Sequence, residues 1–141
     1  MILRNLILSF ALLFSLLFQA QERTIPDKDA VPNCKLMTSG KFINMETDDR
    51  VTPGYYIIIK DSIETEYAEN GKYFVKSSLI FDTDCTYRAI TIESDIPNFP
   101  SKKGDVLYSE IVETSTKHNL IKMRAKEGNG PWVIVVLKKE E

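Results

Sequence analysis

Short β-rich segments separated by turn residues constrain the fold of this chain more than any other feature. YYIIIK at residues 55–60 is aromatic and β-branched, and IETEY at residues 63–67 alternates apolar with acidic residues. Both patterns are typical of strands. Asp61-Ser62 lies between them as a short turn, and Asn70-Gly71 follows as a stronger turn signal because both residues tolerate positive φ. The sequence therefore predicts consecutive antiparallel hairpins.

The same pattern of strands and turns continues to the end of the chain. A bent first strand is predicted to begin at Cys34, and the loop TDDRVTPGYY is predicted to follow it. The longest irregular connection is residues 94–104, which contain two prolines. Further strands are predicted over residues 72–81, 86–93, 106–112 (with a bulge), 120–126 and 132–137. About eight strands and no helical period predict an all-β fold, an antiparallel meander that closes into a small barrel.

Residues 1–20 have the layout of a secretory signal peptide. Arg4 precedes an apolar run from Leu6 to Phe18, and polar residues begin after Ala20. The alternative is an uncleaved N-terminal anchor, for which the run is short. Cleavage after Ala20 would shorten the 141-residue chain to 121 residues, which suits one domain. We expect a flexible leader over residues 21–33 and a single β-barrel domain over residues 34–141, exported to the periplasm or the extracellular space with no membrane span.

Cys34 and Cys85 are the only cysteines in the chain. Cysteines of exported proteins pair more often than they remain free, so we predict a disulfide between them; two buried free thiols are the alternative. The predicted bond would tie the start of the first strand to the acidic turn that precedes Cys85. Strand alternation places Cys85, Tyr87 and Ala89 on one face, which we expect to point into the barrel.

The charge balance argues against a nucleic-acid partner. Without Arg4, 17 of the 18 Lys and Arg residues remain against 20 Asp and Glu residues, which gives a net charge of −3. A nucleic-acid binder needs a clustered basic surface to neutralise phosphates. The basic residues occur as doublets only at 102–103 and 138–139. We therefore expect no nucleic-acid partner, and we expect a monomer.

No group of residues predicts a metal site. His118 is the only histidine and lies in a predicted turn, so it is expected to be a solvated loop residue. Asp82 and Asp84 would join the Asp48-Asp49 pair in a calcium site if their loops met at one barrel end. A turn-forming role for these aspartates is favoured instead.

No group of residues predicts a catalytic site either. Nucleophilic catalysis needs a base oriented by a third group, and one histidine alone does not supply that arrangement. Glu64 and Glu66 are a candidate carboxylate pair for a hydrolase because they share one face of a strand. The alternating pattern predicts instead that they form a solvated surface. We predict no catalytic residue, no metal and no cofactor, and we expect that the protein is not an enzyme.

Two parts of the sequence resemble known families. Ser39-Gly40-Lys41-Phe42, after a cysteine, is similar to the opening of a lipocalin-like barrel, where a glycine and an aromatic residue start the first strand and close the barrel floor. The series CKLMTSGKF, YYIIIKDSIETEYAENGKY, SLIFDTDCTYRAI and GDVLYSEIVE resembles a group of small exported bacterial proteins of unknown role, some labelled DNA topoisomerase IV. The acidic balance and the lack of a nucleotide-binding loop argue against that label. The resemblance implies the barrel and the two cysteines, and no mechanism.

The first functional hypothesis is a non-enzymatic extracytoplasmic binding module, a lipocalin-like barrel for a small apolar or amphipathic ligand. It predicts a cavity on the order of a few hundred Å³ lined by aromatic residues, and it assigns no individual ligand-binding residue. The alternative is a protein-interaction or inhibitor module of the cell envelope. That hypothesis predicts a packed barrel and an exposed apolar patch around Ile96 and Phe99, in the loop from Asp95 to Lys103.

Overall fold

The barrel predicted from the sequence is confirmed. A computed structural model describes residues 23–141, so the predicted signal peptide over residues 1–20 lies outside the described residues. Eight antiparallel strands follow one another in a meander, and the first and last strands also pair, which closes the sheet. The strands are β1 (Gly40–Met45), β2 (Val51–Lys60), β3 (Ile63–Ala68), β4 (Tyr73–Phe81), β5 (Thr86–Ser94), β6 (Val106–Ser115), β7 (Leu120–Glu127) and β8 (Val133–Glu140). No helix within residues 23–141 is long and apolar enough to cross a membrane.

Several predicted strand boundaries differ from the structure. Residues Cys34–Met37 form a 3₁₀ turn, and β1 begins only at Gly40, whose φ of +128° suits glycine. The Pro53-Gly54 pair lies inside β2, near its start, where a proline is tolerated. Trp132 precedes β8, which continues through the charged residues to Glu140. The predicted bulge in β6 is confirmed between Ile111 and Glu113.

The end of the barrel that we call the plugged end is filled by apolar side chains. The 3₁₀ turn Cys34–Met37 packs against the core there, together with the β4–β5 turn. Met37, Phe42 and Ile59 are almost completely buried. The predicted disulfide between Cys34 and Cys85 is confirmed, with the two Cα atoms 5.2 Å apart. Since Tyr87 and Ala89 are each 3% exposed, the inward face predicted for β5 is also confirmed.

Residues 23–33, for which a flexible leader was expected, lie along the outside of the barrel. The backbone N–H of Asp29 donates a hydrogen bond to the carbonyl of Thr114 (2.7 Å), and the Asp29 carboxylate accepts one from the Thr114 hydroxyl (2.6 Å). Ile25 packs with Met45 and Val136 in a small second core. This segment therefore covers part of the outer wall of the barrel.

The opposite end, which we call the open end, carries the β1–β2, β3–β4, β5–β6 and β7–β8 connections. The β5–β6 connection is the long loop over residues 95–105. Asp61-Ser62 form the short turn that joins β2 to β3 at the plugged end, and both residues have positive φ. A turn at this position was predicted. Because neighbouring strands are antiparallel, β4 and β6 begin at the open end, whereas β5 and β7 finish there.

Candidate functional site

Strand β3 turns its acidic residues into the barrel. Glu64 pairs with Ile59 on one side and Ser77 on the other, and both of these partners are buried. Directly paired residues of antiparallel strands share a face, so Glu64 and Glu66 point inward. Glu64 is 5% exposed. The prediction that Glu64 and Glu66 form a solvated surface is therefore wrong, although the prediction that they share a face is confirmed.

The outward residues of β3 pack on the outer surface of the sheet. The Tyr67 ring stacks on that of Tyr56 with 4.8 Å between the ring centroids. The Lys41 ammonium lies 5.1 Å from the centroid of the Tyr56 ring on the same surface. Aromatic residues outside and carboxyl groups inside reverse the usual relation between polarity and burial. This reversal explains why the alternating pattern predicted the wrong face.

The two glutamates and Tyr55 form a hydrogen-bonded group. The Tyr55 hydroxyl donates to Oε2 of Glu66 at 2.5 Å. Burial raises the pKa of Glu64 to about 8, and the charge of Glu66 and a side-chain hydrogen bond with it act in the same direction. At neutral pH Glu64 therefore keeps its proton in the folded chain. Burial and the charge of Glu66 also raise the pKa of Tyr55, which keeps this hydroxyl a donor.

Further polar side chains line the interior near this group. Ser77, Thr91 and Ser109 are all buried. Burial and the charge of Glu64 raise the pKa of the Tyr87 hydroxyl. The nearby Ser109 acts in the opposite direction and lowers this pKa. Even so, no partner within residues 23–141 completes a hydrogen bond with Ser109 Oγ. The barrel interior thus contains buried polar side chains beside its apolar core.

A cavity of about 140 Å³ lies at the open end, between the barrel wall and the 95–105 loop. Its acidic lining residues come from β3, the long loop and β7. Phe99 is half-buried and lines the cavity instead of forming an exposed patch, and Ile96 is also half-buried. The lining residues are Glu66, Val75, Ser77, Ala89, Thr91, Phe99, Ser101, Asp105, Val106, Leu107 and Glu127.

The carboxylates of the cavity have no cationic partner in the part of the chain that the structure describes. None of Glu66, Asp105 and Glu127 forms an ion pair with another residue in the described range 23–141. Asp105 accepts a hydrogen bond from the backbone N–H of Lys102 at 2.7 Å, and Glu127 accepts one from Ser101 Oγ at 3.1 Å. Among residues 23–141, no lysine, arginine or histidine lines the cavity. The cavity is therefore a concave region of negative potential.

The other residues considered from the sequence do not converge on a site. His118 Nε2 lies 2.7 Å from the Asp27 carboxylate on the outer surface. Asp82 lies in the β4–β5 turn at the plugged end and forms a salt bridge with Arg88 of β5. Asp48 lies in the β1–β2 loop at the open end. These two acidic turns therefore do not meet. Among residues 23–141, no group of three or more His, Cys, Asp or Glu residues is arranged to hold a metal ion.

A larger groove of about 770 Å³ lies on the outer surface, between the N-terminal segment and the β1–β8 seam. Ile43, Met45 and Leu120 line it together with charged residues of both signs, including Lys138 and Glu140. Its mixed charges and its position outside the wall favour no particular ligand class. The interior cavity is therefore the better candidate site.

Comparisons with known proteins add no assignment. No protein-family model matches the chain, and neither the curated proteins nor the solved structures searched yield a match.

Several cavity residues were not singled out from the sequence. Thr91, Asp105 and Glu127 carry no motif and lie far from Glu66 in the chain. The one available signal was the pairing of IETEY with YYIIIK across the Asp61-Ser62 turn. If Ile57 and Ile59 are placed inside, the register of that hairpin places both glutamates inside as well.

Proposed function

We propose that this protein is a non-enzymatic binding module of an extracytoplasmic compartment, and that its cavity binds the ammonium group of a small primary amine. The observation that carries the proposal is the set of three carboxylates, Glu66, Asp105 and Glu127, around a cavity that no basic residue in the described part of the chain lines. The Cys34–Cys85 disulfide supports an oxidising compartment, and the signal-like residues 1–20 support export.

The size of the cavity favours a ligand of few atoms. Its volume of about 140 Å³ is below the range of roughly 300–1,000 Å³ that sites for drug-sized ligands occupy. Since a water molecule takes about 30 Å³ of liquid, the cavity has space for roughly four or five waters. Among the described residues that line it, Phe99 is the one aromatic residue. The proposed ligand is therefore smaller and more polar than the apolar ligand expected from the sequence.

The lining residues suit an alkylammonium ion. An ammonium group has three N–H donors, and the carboxylates and the hydroxyls of Ser77 and Thr91 supply acceptors. Apolar side chains such as Val75 and Leu107 would contact the short alkyl chain. The Phe99 ring would add a cation–π contact.

The alternative, a protein-interaction module, depended on the loop from Asp95 to Lys103. This loop now gives that alternative less support. That hypothesis required Ile96 and Phe99 to form an exposed apolar patch. Both side chains are half-buried, and Phe99 lines the cavity. In the binding module, the same loop closes one side of the site.

Titration with ethylammonium, followed by NMR, tests the proposed function. Ethanol is the neutral control because it has the same number of non-hydrogen atoms. A ceiling of about 1.5 kcal/mol per non-hydrogen atom limits ethylammonium to a Kd of roughly 0.5 mM. We expect saturable shifts of the amides of Thr91 and Leu107 with ethylammonium, and weaker effects with ethanol. Equal responses to the two compounds would contradict the proposal.

Two charge-neutralising variants sharpen this test. Glu127→Gln removes a cavity carboxylate and should weaken ethylammonium binding by roughly three- to tenfold, as expected for a partly solvated charge contact. Glu93→Gln removes a carboxylate from the outer surface, where Glu93 pairs with Lys76 at 3.8 Å, and should leave the affinity unchanged. If the two variants bind equally well, the cavity carboxylates do not hold the cation.

A further inference from the structure

We propose that a cation entering the cavity displaces the proton held between Glu64 and Glu66, so that ligand binding and proton release are coupled at one site. This inference rests on the proposed function, because it requires that the cavity binds a cation. It adds that the bound ion replaces a proton, and it assigns the proton to Glu64.

The geometry places the two carboxyl groups in different surroundings. Glu66 lines the cavity and accepts the hydrogen bond of Tyr55. Glu64 is 5% exposed, lies beside the cavity-lining Ser77, and interacts with Glu66 through a side-chain hydrogen bond. A ligand in the cavity therefore contacts Glu66 directly and acts on Glu64 through it.

The groups around Glu64 favour its neutral form when the cavity holds no cation. The titratable groups that influence it are Glu66 on its own strand, with Tyr55 on β2 and Tyr87 on β5 nearby. The neighbouring strand β4 contributes Ser77, which does not titrate in this range. No lysine, arginine or histidine contributes to the raised pKa of Glu64, and further toward the open end the charged cavity residues are acidic.

The proposed exchange balances in charge and in protons. Without a ligand, the pair consists of one carboxylic acid and one carboxylate. An ammonium ion beside Glu66 stabilises a second negative charge, so the O–H bond of Glu64 breaks heterolytically and its electrons remain on the carboxylate. The proton leaves to solvent through the cavity. One positive charge enters and one leaves.

Proton release at about pH 7 tests this coupling. Ethylammonium keeps its charge at this pH, so the protons that it displaces come from the protein. Calorimetric titration in two buffers of different ionisation enthalpy counts them. We expect roughly half a proton or more per bound ion, because a pKa near 8 that falls by one unit or more on binding crosses this pH. For the same reason, binding should tighten severalfold as the pH rises from about 6.5 to 8.

Glu64→Gln separates the coupling from binding itself. Glutamine has the shape of a protonated glutamate, so this variant should still bind ethylammonium, while its proton release and the pH dependence of its affinity should fall to near zero. Glu93→Gln is the matched surface control and should behave as the wild type. Binding without proton release in the wild type would overturn the coupling and leave the proposed function standing. Undiminished proton release in Glu64→Gln would overturn the assignment to Glu64, and no binding at any pH would overturn both proposals.

Discussion

Replacing Glu64 with glutamine should remove a pH dependence of stability that the wild-type barrel shows between about pH 5 and 8. In the folded chain the pKa of Glu64 is about 8, whereas the ordinary value is 4.5. Between these values the folded state holds a proton that the unfolded state has lost. Folding therefore takes up a proton, and the free energy of unfolding decreases as the pH rises through this window. Above about pH 8 the contribution of Glu64 becomes constant.

The size of the effect follows from the same pKa difference. One pH unit within the window changes the free energy of unfolding by about 1.4 kcal/mol. Between about pH 5.5 and 7.5 the wild type should therefore lose about 3 kcal/mol. Glu64→Gln has no proton to take up, and its amide can donate to Glu66, so it should lose much less. At about pH 7 the variant should be more stable than the wild type by up to about 3 kcal/mol.

Urea unfolding at several pH values and constant ionic strength measures this difference. The Cys34–Cys85 bond should stay oxidised throughout, so that both proteins share the same cross-linked unfolded state. Glu93→Gln removes an exposed carboxylate and should keep the wild-type slope. If Glu64→Gln and the wild type lose stability in parallel between about pH 5.5 and 7.5, the raised pKa assigned to Glu64 is refuted.

Three further changes test the fold. Exchanging both Cys34 and Cys85 for serine opens a loop with a sequence separation of 51 residues and should cost about 4 kcal/mol, measured by urea unfolding; a loss below about 1 kcal/mol would contradict this. Leu79→Ala removes a buried side chain and should cost about 3 kcal/mol, whereas the neighbouring Ile80→Ala, at an outward position 40% exposed, should cost less than about 1 kcal/mol. Asp29→Ala should expose residues 23–33 to limited proteolysis; an unchanged cleavage rate would mean that its hydrogen bonds do not hold this segment.

The sequence was a good guide wherever local chemistry determines the structure. Turn residues located most of the strands, because Asp61-Ser62 and Asn70-Gly71 favour sharp reversals of the chain with positive φ. Cys85 and the alternation after it predicted both the disulfide and the inward face of β5 correctly. These features depend on a few neighbouring residues and on the two cysteines alone.

The candidate site could not be predicted in the same way because it depends on the closed sheet. Alternation identifies the two faces of a strand, but polarity identifies the inner face only when the interior is apolar. Here Glu64 and Glu66 occupy the inner face, and the stacked ring of Tyr67 covers the outer one. Asp105 and Glu127 join Glu66 only through the register of strands far apart in the chain.

The inner wall of the barrel and the cavity at its open end combine features that the fold itself does not need. Glu64 is buried at a cost in stability, and no cation among the described residues pairs with the cavity carboxylates. Such departures from a consistent interior are typical of functional sites. If the carboxyl groups serve binding, Glu64→Gln combined with Glu127→Gln should raise the free energy of unfolding at about pH 7 and weaken ethylammonium binding. Stability should rise while affinity falls, because neutralisation removes the energetic cost of buried or unpaired charge and also removes the attraction for the cation. A double variant that is less stable than the wild type would instead show that the carboxyl groups support the barrel.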